Sequence, residues 1–125
     1  MSTEPAHAIA HPRRDEIELA AVLHALSDPV RLQIVAALAE SDERTCGSFE
    51  LPVTKSTCTH HFKVLREAGV INQRPEGTTR VNTLRRDDLE ARFPGLLATI
   101  LRATHKSHGG ALGAVKGASR RDEAA

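Results

Sequence analysis

The sequence has no tryptophan or tyrosine and only three phenylalanines among its 125 residues. A core must therefore come from Leu, Ile, Val and Ala, a composition that suits packed helices. The same scarcity argues against the aromatic platforms on which RNA and single-stranded DNA stack. Two cysteines, Cys46 and Cys58, are too few for a disulfide framework, and a reducing cytoplasm is the compartment expected. No apolar run reaches the ~18 residues that a membrane span needs, and Met1–Arg14 lacks the apolar centre of a signal peptide. Gly-rich phosphate loops, nucleophile elbows and complete zinc-protease motifs are missing too, so neither an enzyme nor a cofactor is expected.

Leu, Ile, Val and Phe number 29, and 26 of them fall between Asp15 and Thr104. That clustering predicts one domain over 15–104, with a flexible N-terminal arm at 1–14 and a flexible C-terminal tail at 105–125. The net charge of +1 conceals an uneven distribution. Between Pro52 and Arg86 stand seven basic residues (Lys55, Lys63, Arg66, Arg74, Arg80, Arg85, Arg86) against Glu67 and Glu76. Such a concentration suits a polyanion, although a solvated basic face would look the same.

Periodicity orders the elements. Asp15 is placed to cap a first helix with Leu19, Val22, Leu23 and Leu26 on one stripe. Asp28 then caps a second, with Pro29 at its first position; Val30, Ile34, Val35 and Leu38 face inward, and Arg31, Gln33 and Glu40 outward. Thr45–Leu51 is ambiguous, a short helix at most. Thr54, Ser56 and Thr57 offer caps for the next helix, with Cys58, Phe62, Leu65 and Ala68 inward and Gly69 at its end. Val70–Arg74 and Arg80–Leu84 predict a β-hairpin turning through Pro75–Thr79. Asp87 or Asp88 opens a last helical region, which Pro94 interrupts and restarts. The expected class is mainly α with a β-hairpin wing: a winged helix-turn-helix in the order α-α-α-α-β-β-α.

The segment Thr54–Gly69 carries the functional expectation. Its outward face is basic and hydrogen-bonding, and a helix of this length fits the major groove of double-stranded DNA. Lys55, Ser56, Thr57 and Thr59 are expected to reach bases, with a DNA role for His60 and a packing role for His61. Lys63 and Arg66 are expected to hold phosphates, and Arg74, Thr78, Thr79 and Arg80 of the hairpin to reach backbone or minor groove.

These residues also carry a resemblance. S-T-C-T-H-H-F-K-V-L-R-E-A-G-V-I, from Ser56 to Ile71, resembles the recognition-helix signature of the ArsR/SmtB family of bacterial repressors. A-L-S-D-P-V-R-L-Q-I-V-A-A-L at Ala25–Leu38 resembles that family's second-helix motif, and R-P-E-G-T-T-R-V-N fits its wing. The likeness spans about Leu19–Leu101. It implies a homodimer joined through the first and last helices, sitting on an inverted-repeat operator in the bacterial cytoplasm until an inducer releases it. Leu19, Val22, Leu23, Leu96, Leu97, Ile100 and Leu101 are the interface this implies, with ordinary core as the other reading of the last stripe.

The signal is less legible. The Cys-x-Cys pair of metal-sensing relatives is absent around Cys46. The Asp-x-His that other relatives combine with a later histidine pair is missing too, its place held by Arg92, Phe93 and Pro94. His105 and His108 remain as metal candidates, with His7 or His11 as further ligands. Cys46 with Cys58 offers a thiol-redox alternative. A winged-helix module that binds RNA or a protein without operator specificity is the rival to the repressor reading.

Overall fold

A computed structural model describes residues 9–41, 43–49 and 53–108. The order is α1 (Leu19–Ala25), α2 (Pro29–Ala39), β1 (Arg44–Thr45), α3 (Lys55–Ala68), β2 (Ile71–Glu76), β3 (Thr79–Leu84), α4 (Arg86–Arg92) and α5 (Leu96–His108). The strands form an antiparallel sheet in the order β1-β3-β2, so β3 is central and β2 lies at an edge. Among the described residues no single helix is long and apolar enough to cross a membrane.

Asp28 caps α2 as its position predicts. Its carboxylate accepts from the N–H groups of Val30 and Arg31 at 2.8 and 3.2 Å. Burial opposes its charge, but the two N–H bonds outweigh that and hold its pKa below the usual carboxylate value. Thr54 caps α3 by accepting from the Thr57 N–H at 3.2 Å. At the other end Gly69 adopts φ 89°, and a Cβ there would stand 2.6 Å from Ile17 Cγ1. Both its backbone and its space require glycine. The core joins Ile17, Val22, Ile34, Val35, Leu38, Phe62, Leu65, Val70, Ile71 and Leu89 across every layer.

Several expectations shift. Asp15 does not start the first helix: Arg14–Glu16 forms a separate 3-10 turn, and Ile17 drops into the core before α1 begins. The Glu16 carboxylate accepts from the Arg13 N–H at 2.7 Å and its own N–H donates to the Arg13 carbonyl at 2.8 Å, which together close that turn. The ambiguous segment Thr45–Leu51 holds only a 3-10 turn at Cys46–Ser48 among its described residues, and its first residue belongs to β1, where Arg44 and Thr45 pair with Asn82 and Val81 of β3. Glu50 and Leu51 lie outside the described residues. The hairpin turn is tighter than expected. Glu76 pairs directly with Thr79, leaving Gly77 (φ 65°) and Thr78 as the loop.

Asp87 and Asp88 sit in the first turn of α4 rather than capping it. Asp88 instead binds Arg14 and Arg85 at 2.7 and 2.9 Å. Arg14 first, then Arg85, hold its carboxyl below its ordinary pKa. Pro94 does not restart the helix; Gly95 (φ 81°) turns the chain and α5 begins at Leu96. That helix continues past the boundary expected at Thr104, to His108. The last part of the expected arm is also tied down, with the Pro12 carbonyl accepting from Arg85 at 2.8 Å.

Candidate nucleic-acid interface

The helix α3 owes its placement to its inner face. Phe62, Leu65 and Ala68 are buried, Cys58 is half-buried, and Phe49 packs on Phe62 with ring centroids 5.3 Å apart. With that face fixed, Lys55, Ser56, Thr57, Thr59, His60 and Lys63 are exposed on the other. The first turn organises its own hydroxyls. Thr54 Oγ1 donates to Thr57 Oγ1 at 2.9 Å, and Thr59 Oγ1 donates to the Lys55 carbonyl at 3.0 Å. The Thr59 hydroxyl therefore presents lone pairs outward, beside its methyl group, to whatever lies in front of the helix.

Between α3 and the wing runs an open groove of about 640 Å³. Thr59, Lys63 and Arg66 line one wall, Pro75 and Gly77–Arg80 the other, with Ile9 and Ala10 completing it. The tip residues Gly77, Thr78, Thr79 and Arg80 are all exposed. Among the described residues Lys55, Lys63 and Arg80 make no ion pair, so these cations remain available to an anion.

Two arginines of the expected set are otherwise engaged. Arg66 donates from Nη1 to Gln73 Oε1 at 2.9 Å and lies 3.8 Å from Glu67, so it reaches the groove wall but is anchored inward. Its Nε is buried without a partner among the described residues. Gln73 passes the connection on, donating from Nε2 to Asn82 Oδ1 at 2.8 Å; Asn82, fully buried, donates to the Arg44 carbonyl at 3.1 Å. This polar chain fastens α3 to all three strands. Arg74 is bracketed by Glu43 at 3.2 Å and Glu76 at 3.5 Å. Its charge is neutralised at the wing edge, and the Glu43 contact raises its pKa further. The register that puts Arg74 opposite Val81 leaves it beside these carboxylates instead of at the tip.

Among the described residues the histidine candidates do not gather into a site. His11 is committed to β2: its Nε2 accepts from the edge N–H of Gln73 at 2.9 Å, and burial lowers its pKa. His105 is exposed on α5, while His7 and the side chain of His108 lie outside the described residues. No group of three or more His, Cys, Asp or Glu side chains gathers among the described residues. Cys46 and Cys58 are both free thiols. Burial, and then the Cys46 charge, push the Cys58 thiol above its ordinary pKa, away from the reactive thiolate.

Of the expected interface residues, Val22 (1% exposed) and Leu97 (9%) are core of the single chain and unavailable to a partner. Their helices turn these positions toward the buried cluster. Leu19 and Leu23 remain nearly half exposed, and Leu96, Ile100 and Leu101 are half-buried.

Sequence reasoning placed Arg31 on the outer face of α2, and the structure buries it. Arg31 Nε donates to the Ala25 carbonyl at 2.6 Å and Nη1 meets His61 Nδ1 at 3.1 Å. A signal existed in the sequence: Arg31 stands one turn after the cap Asp28, where the chain doubles back on the end of α1.

Comparison with known proteins agrees with this geometry. Residues 26–74 match the family model described as a helix-turn-helix domain. The chain is 38% identical over 84 residues to the HTH-type transcriptional regulator YceK of Bacillus subtilis, covering 65% of this chain and 84% of that one. It is 36% identical over 61 residues to the HTH-type transcriptional regulator MJ1325 of Methanocaldococcus jannaschii, covering 47% and 68%. Among solved structures, the transcriptional repressor BigR from Xylella fastidiosa superposes with a TM-score of 0.52 at 25% identity, over 73% of this chain and 83% of that one. A structure described as an ArsR family transcriptional regulator gives 0.56 at 19% identity, over 65% and 90%. The chain belongs to the HTH-type transcriptional regulators, and it shares its winged helix-turn-helix fold with a regulator described as ArsR family.

Proposed function

We propose that this regulator represses transcription by binding an inverted-repeat operator in double-stranded DNA as a homodimer. The observation that carries the reading is the exposed face of α3, polar and basic, set beside an open groove whose far wall is the wing tip. A helix of 14 residues is about 21 Å long at ~1.5 Å per residue, which fits a major groove. Lys55, Ser56, Thr57, Thr59 and His60 lead that helix and read base edges. Lys63, Arg80 and the hydroxyls of Thr78 and Thr79 hold phosphates on either side of the groove. Arg66 positions the wing in this arrangement, and Arg74 contributes little.

Exposed Leu19 and Leu23 on α1, with the half-buried Leu96, Ile100 and Leu101 on α5, supply the apolar surface for a second copy. The DNA-binding and dimerisation unit then runs from the turn at Arg14 through α5. A twofold dimer spaces its two recognition helices about 34 Å apart, one turn of DNA. Release by an inducer belongs to the same reading, and a screen of metals, oxidants and small organic compounds against the operator complex looks for it.

Selection from a random duplex library tests the proposal. The expected winner is a symmetric repeat bound at least ~10³-fold more tightly than random duplex, by a species of twice the chain mass. A winner without symmetry, or equal affinity for single-stranded RNA, overturns it.

A further inference from the structure

Buried arginines need acceptors, and Arg31 finds an unusual set. Its guanidinium donates to two carbonyls at the end of α1, Ala25 at 2.6 Å and His24 at 3.4 Å, and faces His61 Nδ1 on α3 at 3.1 Å. Guanidinium carries donors only, so Nδ1 must accept. The His61 ring is therefore neutral with its proton on Nε2. One side chain of α2 thus ties α1 to the second turn of the recognition helix, next to the exposed His60.

We propose that Arg31 and His61 form a positioning pair that sets the placement of the recognition helix, and that proton uptake by His61 breaks it, so that operator discrimination falls in acid. Protonation converts Nδ1 from acceptor to donor. It also sets a second positive charge against a guanidinium that cannot lose its own. The charged and titratable groups around the ring are Arg31 of α2, Asp28 at its cap, His60 on the same helix and His24 of α1, which adjoins through its carbonyl. Asp28 favours the proton. Burial, Arg31 and His60 oppose it, and the balance lowers the His61 pKa below its ordinary 6.5. The pair is therefore whole above the ordinary histidine value and is lost as pH falls below it, through the lowered value.

The inference rests on α3 being the DNA-reading helix, and two variants separate it from that reading. His61→Asn places an amide oxygen close to where Nδ1 lies, keeping the acceptor without a titratable proton. His61→Leu removes the acceptor on α3 and leaves Arg31 bonded only to the carbonyls of α1. The probe is the duplex selected from the random library, and the readout is its affinity relative to random duplex. In the wild type that ratio is expected to fall at least about threefold between about pH 8 and about pH 5, and in His61→Asn by less than about twofold. His61→Leu is expected to discriminate poorly at both. A His61→Asn protein that loses its ratio as the wild type does, or a His61→Leu protein that discriminates normally near pH 8, overturns the pair. Should the wild type select no duplex at all, the operator reading fails and imidazole ¹⁵N spectra of the full chain decide the pair alone. A neutral Nε2–H ring that resists protonation below its ordinary value supports it; an Nδ1–H tautomer overturns it.

Discussion

The two halves of α3 are different surfaces on one rod. From Thr54 to His60 nearly every side chain is exposed and carries a hydroxyl, an ammonium or an imidazole. From His61 to Ala68 the helix is held from three directions: by the core through Phe62 and Leu65, by α2 through Arg31, and by the sheet through Arg66 and Gln73. Lys63 alone keeps a cation in the open there without an ion pair among the described residues. The difference shows how a short helix can be both precise and adaptable. The second half fixes where the first half points, and the first half, making few contacts of its own, is free to be chosen for what it reads.

Breaking the anchored half should have the largest effect. Leu65 is fully buried, and Leu65→Ala is expected to cost about 3 kcal/mol of folding stability, measured by urea denaturation. Gly69→Ala attacks the same anchor from the helix end. The added methyl meets Ile17 in a left-handed conformation, and a loss of roughly 2 kcal/mol is expected from the same titration. A melting temperature unchanged by either substitution would show that α3 is not held from this side.

Changes in the reading half should leave stability alone and alter DNA binding. Thr59→Ala is expected to lose roughly 1 kcal/mol of discrimination between operator and random duplex, with unfolding unchanged. An unaltered ratio removes Thr59 from the base-reading set. Lys63→Ala is expected to weaken binding to all duplexes alike and to reduce the slope of log affinity against log salt by about one unit.

The smallest effect sharpens the contrast within the wing. Arg74→Ala should change that slope hardly at all, because Glu43 and Glu76 already neutralise the residue. Arg80→Ala, which removes a cation without such partners among the described residues, should reduce the slope about as Lys63→Ala does. Equal slopes for the two arginine variants would mean that DNA displaces the Glu43 pair.

Much of the interface is written in local pattern. The cap at Thr54, the inward spacing of Phe62, Leu65 and Ala68, and the stop at Gly69 fix α3 to within a residue, because caps and helical period depend on near neighbours. The outward residues follow by subtraction. What the pattern misreads are side chains whose partners lie far along the chain. Arg31 looks like a surface residue until α1 and α3 close over it. Arg66 and Arg74 look like phosphate ligands until Gln73 and Glu43 are seen beside them. Val22 and Leu97 look like a dimer stripe until the core claims them, since one apolar face cannot tell an internal neighbour from a second copy.

The sequence by itself therefore determined the recognition helix, the hairpin behind it and the basic character of the segment. Each follows from periodicity, capping and charge within about twenty residues. Only the tertiary structure decided which cations remain open to DNA and which arginines hold the helices in place. Charge is a property of a residue, but its availability depends on the donors and acceptors that folding brings within about 3 Å.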